Sequence, residues 1–384
     1  MAIVVGQAVR GENFWDRPHL MDDIVDRIDS GAHILLAAPR RVGKTSLMYR
    51  VLDTMSEEYI IVYINTEAEH SVDAFWEKLF HELMDDEFVG TLKTRAKNLW
   101  RKITSTSIGE ISIKGVKLDD SKPIDYEDAF VDLLKSIDEG KKLILLLDEF
   151  SQTIENIIRH ESTEKAEQLL QAHRQIRQNH KLSGKSVFVY AGSIGLESVV
   201  ANINASKHIN DLTNISVPPL EEKEAKAFVE KLCKTNKMEI QDGDIEYLLK
   251  QIEWYIPFYI QLLTLELRRL YKIESIINQE VIDRAIQNAL ASKKDFIHWE
   301  ERLNVLPKEN RAYAKKLLSL ISSQGEAEYK ELANIATKHQ LSEDEAKNII
   351  HMLIYDGYIN KSDDRKYRFN SPLLKRWWND NVTN

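Results

Sequence analysis

Four stretches of the chain are apolar without alternation: Ile34 to Ala37, Tyr59-Ile60-Ile61-Val62-Tyr63-Ile64, Leu143-Ile144-Leu145-Leu146-Leu147 and Ser186-Val187-Phe188-Val189-Tyr190. Short runs of this kind belong to strands buried on both faces, as in a parallel sheet. Helical spacing fills the intervals. Leu20, Ile24 and Ile28 share one face before the first run, and helices are predicted near 71–84, 126–138 and 163–180. Strands alternating with helices predict an α/β fold built on a doubly wound parallel sheet. Residues 85–122 break the rhythm as an insertion, and 109–118 alternate polar and apolar as a short antiparallel ribbon does. Beyond Pro218-Pro219-Leu220 strand signals stop. Residues 221–302 read as all helical. Residues 303–384 read as helix (Tyr313–Ile321), helix (Tyr329–His339), helix (Ser342–Tyr355), then turn and ribbon (Asp356–Phe369), the order of a winged helix-turn-helix. The expected division is 1–220, 221–302 and 303–384.

The first run leads into Ala38-Pro39-Arg40-Arg41-Val42-Gly43-Lys44-Thr45-Ser46, and a helical pattern follows. This is a phosphate-binding loop, [AG]-x-x-x-x-G-K-[ST], in the strand–loop–helix setting that gives the pattern meaning. Backbone N–H groups wrap a β-phosphate where Gly43 lets the chain come close. Lys44 brings a cation to the β- and γ-phosphates, and the Thr45 hydroxyl is placed to ligate Mg²⁺. The helix starting near Lys44 turns its positive end toward the phosphates. Residues Pro39, Arg40, Arg41, Val42, Gly43, Lys44, Thr45 and Ser46 are therefore the candidate nucleotide contacts. The third run ends in Asp148-Glu149, the acidic pair such a loop requires: Asp148 for the Mg²⁺ shell, and Glu149 as general base for the attacking water. Ser193, closing the fourth strand, is a candidate to meet the γ-phosphate or orient that water; the same residue also reads as an ordinary turn serine. Arg174 and Arg177, on the helix before that strand, are candidates for a charge-stabilising finger toward a neighbouring subunit, or else a solvated helix face. ATP is the expected nucleotide, because no guanine-reading N/T-K-x-D motif occurs.

Bulk properties narrow the class. With 384 residues, 43% hydrophobic and 29% charged, the chain is long enough for two or three domains. No apolar run approaches ~18 residues, so no membrane span is expected. The apolar start, MAIVV, is short for a signal peptide and no basic region precedes it. One cysteine, Cys233, and no Cys/His cluster fit a reducing cytoplasm. A net charge of −9 gives no global attraction for nucleic acid, so any DNA contact would be local.

With these residues in place, the chain resembles the STAND and archaeal-type P-loop ATPases of the AAA+ class, in the prokaryotic group with an A-P-R-R-x-G-K-T-S-L loop. The blocks that carry the likeness are Phe14-Trp15-Asp16-Arg17, Pro39 to Leu47, Leu147-Asp148-Glu149-Phe150, Gly192-Ser193-Ile194-Gly195-Leu196, Val217-Pro218-Pro219-Leu220 with Glu224-Ala225, and the terminal Gly357-Tyr358-Ile359 to Trp377-Trp378. The resemblance implies an AAA-like core, a helical lid over 221–302 and a winged helix. It also implies Pro218 near the adenine or ribose and Ser193 as a first sensor. One departure stands out. Where the family usually shows Gly-Gly or Gly-His before the proline of the last lid helix, this chain has Trp254-Tyr255-Ile256-Pro257.

A winged helix suggests DNA, but its recognition helix opens Ser342-Glu343-Asp344-Glu345 with Lys347 as its one base. Those carboxylates repel phosphates, and the Ser342/Glu345 spacing is that of a capping box. The wing and tail hold Lys361, Arg365, Lys366, Arg368, Lys375 and Arg376 against Asp363 and Asp364, a patch able to grip a backbone. Trp377-Trp378 reads as an anchor for the terminal helix. The sequence thus points to an ATP- and Mg²⁺-dependent conformational switch that acts on a protein partner or as a homo-oligomer. The alternatives are a DNA-binding initiator- or transposition-type ATPase, and a non-catalytic ATP-sensing scaffold for a defence or toxin effector.

Overall fold

The computed structural model describes residues 1–55, 59–84, 124–137, 142–192 and 195–383. The insertion at 85–122, with its expected ribbon, and Ser193 lie outside these residues. The described residues form two compact units: Arg17–Ala37 with Leu47–Ser216, and Met1–Asp16 with Ala38–Ser46 and Val217–Asn384. The phosphate loop and the first sixteen residues group with the helical C-terminal half.

The first unit is built on five parallel strands, β1 (Ile34–Ala37), β2 (Ile60–Asn65), β3 (Leu143–Asp148), β4 (Ser186–Ala191) and β5 (Thr213–Ser216), in the order β2-β3-β4-β1-β5. Every residue of β3 and β4 is buried, as their unbroken apolar runs require. Helices α1 (Pro18–Asp29), α2 (Lys44–Met55), α3 (Val72–Leu83), α4 (Tyr126–Lys135), α5 (Phe150–His160), α6 (Thr163–Arg177) and α7 (Leu196–Asn202) alternate with them. Phe75, Trp76, Phe130, Phe150 and Phe188 fill the core, and His173 lies among them, stacked on Trp76 at 5.0 Å. Because all strands run the same way, their C-terminal ends share one edge. Ala37, where the phosphate loop starts, and Asp148 both lie on it, separated by β4 alone. Ligands of open α/β sheets bind outside this edge.

His33 supports β1 from beneath. Its Nδ1 accepts from the Phe188 N–H at 3.1 Å, and burial, with Arg177 nearby, lowers its pKa to about 4. The unfolded chain therefore binds more protons between roughly pH 6.5 and pH 4, and stability falls as pH drops through that window. For this partly exposed ring the loss from pH 7 to pH 5 is on the order of 1–2 kcal/mol. His33→Asn, which keeps an acceptor for Phe188, is expected to remove that part of the acid sensitivity in urea unfolding at the two pH values.

The second unit holds α8 (Glu222–Thr235), α9 (Asp242–Ile252), α10 (Pro257–Glu274), α11 (Gln279–Ala291) and α12 (Lys293–Arg302), the region expected to be all helical. After them come α13 (Lys308–Gln324), β6 (Ala327–Glu328), α14 (Tyr329–Lys338), α15 (Glu343–Tyr355), β7 (Ile359–Lys361), β8 (Lys366–Phe369) and α16 (Pro372–Trp378). Its three strands pair antiparallel in the order β6-β8-β7. This succession matches the order expected for 303–384, with a short strand, β6, added before the second helix. The capping box is present: Ser342 Oγ accepts from the Glu345 N–H, and Glu345 Oε2 accepts from the Ser342 N–H. Trp377 and Trp378 are buried in this module, Trp377 against Phe296.

Candidate functional site

The loop begins where β1 ends and closes where α2 begins, at Lys44. The first N–H groups of a helix have no partners within it, so the start of α2 presents donors to whatever occupies the loop. Gly43 has φ +102°, a conformation closed to L side chains, and an added Cβ would meet nothing within 4 Å. Space at a glycine of this kind is what a phosphate cradle needs. Val42 and Lys44 are buried, and Thr45 is half-buried. Lys44 Nζ donates to Ala38 O at 2.7 Å and Pro39 O at 2.9 Å, folding the ammonium back over its own loop. Ser46 Oγ accepts from the Val9 N–H at 2.9 Å, which ties the amino-terminal segment to the start of α2. Ser46 is thus a loop anchor.

Within the same unit, the C-terminal elements close on the loop at two points. Gly357, just after α15, has φ +86°, and a Cβ there would lie 2.9 Å from both Pro39 Cβ and Trp254 Cζ2. The bulk of Trp254 is matched by the missing side chain at Gly357. Beside it Arg302 Nε donates to Asp356 Oδ2 at 3.3 Å, both side chains buried. Asp356 Oδ1 has no hydrogen-bond partner among the described residues. Burial raises the Asp356 pKa, against the opposing pull of Arg302, Arg40 and Lys44. The carboxylate thus lies in the field of the loop's own cations. At the second point the Arg41 guanidinium lies 3.9 Å over the Phe258 ring, with Nη2 3.1 Å from His298 Nδ1. The Arg41 side chain is thus engaged with protein groups.

In the other unit Asp148 is almost fully buried at the end of β3. Tyr63, on β2 two residues before Asn65, which pairs with Asp148, donates its hydroxyl to Oδ2 at 2.9 Å, and the Glu149 N–H donates to Oδ1 at 3.0 Å. Thr66 N–H and Oγ1 both bind the Asp148 carbonyl, at 3.0 and 3.1 Å. Its carboxylate is thus oriented from two sides. Glu149 is half-buried at φ +56°, in the left-handed region. Non-glycine residues held there concentrate at functional sites.

Arg177 needs correction. Its side chain is 2% exposed, and its guanidinium grips Asp211 through Nε and Nη2, both at 2.8 Å, while also donating to Tyr190 Oη and His208 O. An arginine buried and bidentate within its own fold has no fork to extend to a neighbour. Arg174 donates to the Lys207 carbonyl. Pro218 is an exposed residue between β5 and α8, in the unit that contains the loop. The basic wing is partly neutralised, since Lys366 and Arg368 pair with Glu326 and Arg368 also with Asp364. Sequence reasoning gave no site role to Tyr63, Asp356, Gly357 or Phe258. The Asp-Gly pair after a helix was a readable turn signal, whereas nothing marks Tyr63 among the other strand residues.

The donors suit the groups the loop implies. A Cβ on Gly43 would meet nothing within 4 Å, and Lys44 Nζ, bonded to the Ala38 and Pro39 carbonyls, is a cation of the kind that phosphate oxygens attract. Among the described residues no cluster of three or more His, Cys, Asp or Glu could hold a metal alone. No helix among the described residues is long and apolar enough to cross a membrane.

No protein-family model matches this sequence, and comparison with curated proteins gives no match. Solved structures do resemble it. The Walker-type ATPase PABY2304 of Pyrococcus abyssi aligns over 98% of this chain and 99% of its own, with a TM-score of 0.68 and 16% identity. The ORC2 protein of Aeropyrum pernix, solved as ADPNP–ADP complexes, aligns over 97% and 96% with a TM-score of 0.55 and 13% identity. At such identities the likeness shows the fold, which is that of P-loop ATPases.

Proposed function

We propose that this chain binds ATP with Mg²⁺, hydrolyses it, and uses the state of its phosphate loop to set how the helical lid and a winged-helix C-terminal module engage that loop. The observation that carries the reading is the loop itself: a Gly43 cradle and a Lys44 ammonium, gripped by Gly357, Trp254 and Phe258 from the elements that would respond.

Lys44 leaves the Ala38 and Pro39 carbonyls to meet the β- and γ-phosphates, so ligand arrival rewrites the loop's own hydrogen bonds. From the sequence motif, Thr45 and Asp148 are the residues that would hold Mg²⁺, whose charge would offset that of the phosphate oxygens. Tyr63 keeps Asp148 turned for that task. Glu149 accepts the proton of the attacking water. Ser193 and Pro218 remain the proposed sensor and base-side contact. The new arrangement of the loop is then felt by Asp356 through the charges of Lys44 and Arg40, and by Gly357 through Pro39. A switch of this kind serves a protein partner or a second copy of the chain. If neighbouring subunits share the site, the arginine they supply is not Arg177. DNA binding through the wing ranks second, because Glu326 and Asp364 already occupy Lys366 and Arg368.

Lys44→Ala is expected to weaken ATP binding about 100-fold or more, as loss of a charge-assisted contact to phosphate implies. Calorimetric titration of parent and variant checks this. Equal affinity in the two would remove Lys44 from the site and end the proposal.

A further inference from the structure

Arg41 stands in the phosphate loop with φ +65°, a backbone conformation that glycine adopts freely and a side-chain-bearing residue does not. Something outside the loop must hold it there. Its guanidinium stacks on Phe258, the second residue of α10, and donates to His298 on α12. Arginine has donors only, so His298 Nδ1 accepts and its proton sits on Nε2. Burial first, then Arg41 itself, lowers the His298 pKa to about 3, so the ring stays a neutral acceptor at any working pH. A third segment joins them. A Cβ on Gly6 would lie 3.3 Å from Arg41 Nη1, and the Val4 N–H two residues earlier donates to Gln261 Oε1 of α10. Among the described residues no carboxylate is within ion-pair distance of this guanidinium, whose cationic charge faces a π surface and an imidazole.

We propose that Arg41 is a positioning residue: its side chain clamps the phosphate loop to the first turn of α10 and to α12, and transmits the phosphate state of the loop to those helices. The proposal rests on the loop being the nucleotide site. The clamp works because stacking and a directed hydrogen bond tolerate little displacement. Turning the loop at residues 40–42, as Lys44 exchanges carbonyls for phosphates, draws the guanidinium along Phe258. A loop with glycine at this position would make the same turn without moving either helix.

Hydrogen exchange of the full chain, with and without saturating ADPNP and Mg²⁺, tests this. In the parent, nucleotide is expected to change exchange at the start of α10 and in α12 by about tenfold, a coupling of ordinary size. Phe258→Leu keeps an apolar side chain but removes the ring; it is expected to bind ADPNP within about threefold of the parent and to lose most of that change. Arg41→Gly, whose loop turn is unstrained, is expected to lose the change as well. A full response in saturated Phe258→Leu overturns the clamp, as does a parent that binds ADPNP with no change in these helices. A parent that binds no ADPNP sinks the nucleotide site and the clamp together. If Arg41→Gly cannot be saturated, Phe258→Leu decides the matter alone.

Discussion

Glu149→Gln is expected to keep ATP bound at near-parental affinity while slowing its hydrolysis about 100-fold or more, the usual contribution of a positioned base. Glutamine has the same length and can adopt the same left-handed backbone at φ +56°. Its N–H still donates to Asp148 Oδ1, so the carboxylate held by Tyr63 and Glu149 stays in place. What the variant loses is the capacity to take a proton. Nucleotide titration and phosphate release, measured on one preparation, separate the two effects. Unchanged release would assign the base elsewhere. A parent that binds ATP but releases no phosphate would instead establish the non-catalytic, ATP-sensing reading.

Gly357→Ala is expected to destabilise the unit that carries the loop by about 2–5 kcal/mol. A left-handed conformation costs an L residue about 1–2 kcal/mol, and an extra methyl in a filled space typically costs about 1–3 kcal/mol. There is no flexible end to yield: the new carbon meets the Trp254 ring and the Pro39 ring. Trp254→Ala in the same chain clears part of that space, so the penalty at 357 is expected to shrink in its background, although the backbone part remains. Urea unfolding of the four chains of this double-mutant cycle measures the coupling. Additive losses would mean that the Trp254 ring contributes nothing to the penalty at 357, leaving the backbone and Pro39 to account for it.

The parts legible in the sequence were those where function or burial dictates a local pattern. Four strands announced themselves as unbroken apolar runs, although β2, at the sheet edge, is only half-buried, and Asp148-Glu149 at the end of β3 was readable once the loop was found. β5 escaped because Thr213-Asn214-Ile215-Ser216 lies at the sheet edge and buries only Ile215. α5 escaped because it starts directly at Phe150 with no linker, and its buried face includes Ser151, Thr153 and Asn156. Arg177 was misread for a different reason. A long cation near a helix end has the same appearance whether it faces solvent or reaches back to Asp211, thirty-four residues on. The meeting of Pro39, Trp254 and Gly357 joins positions hundreds of residues apart, and no local pattern encodes such a contact. Only the odd bulk at Trp254, against the family habit of glycine, hinted that something nearby had made room.

That indole has a practical side. Trp254 sits half-buried against Gly357, which also neighbours Pro39 of the loop, with its ring 6.3 Å from Trp299 and 6.2 Å from Tyr259. The chain has seven tryptophans, so the difference in emission between the parent and Trp254→Phe isolates this indole as an optical gauge beside the phosphate loop, without a dye.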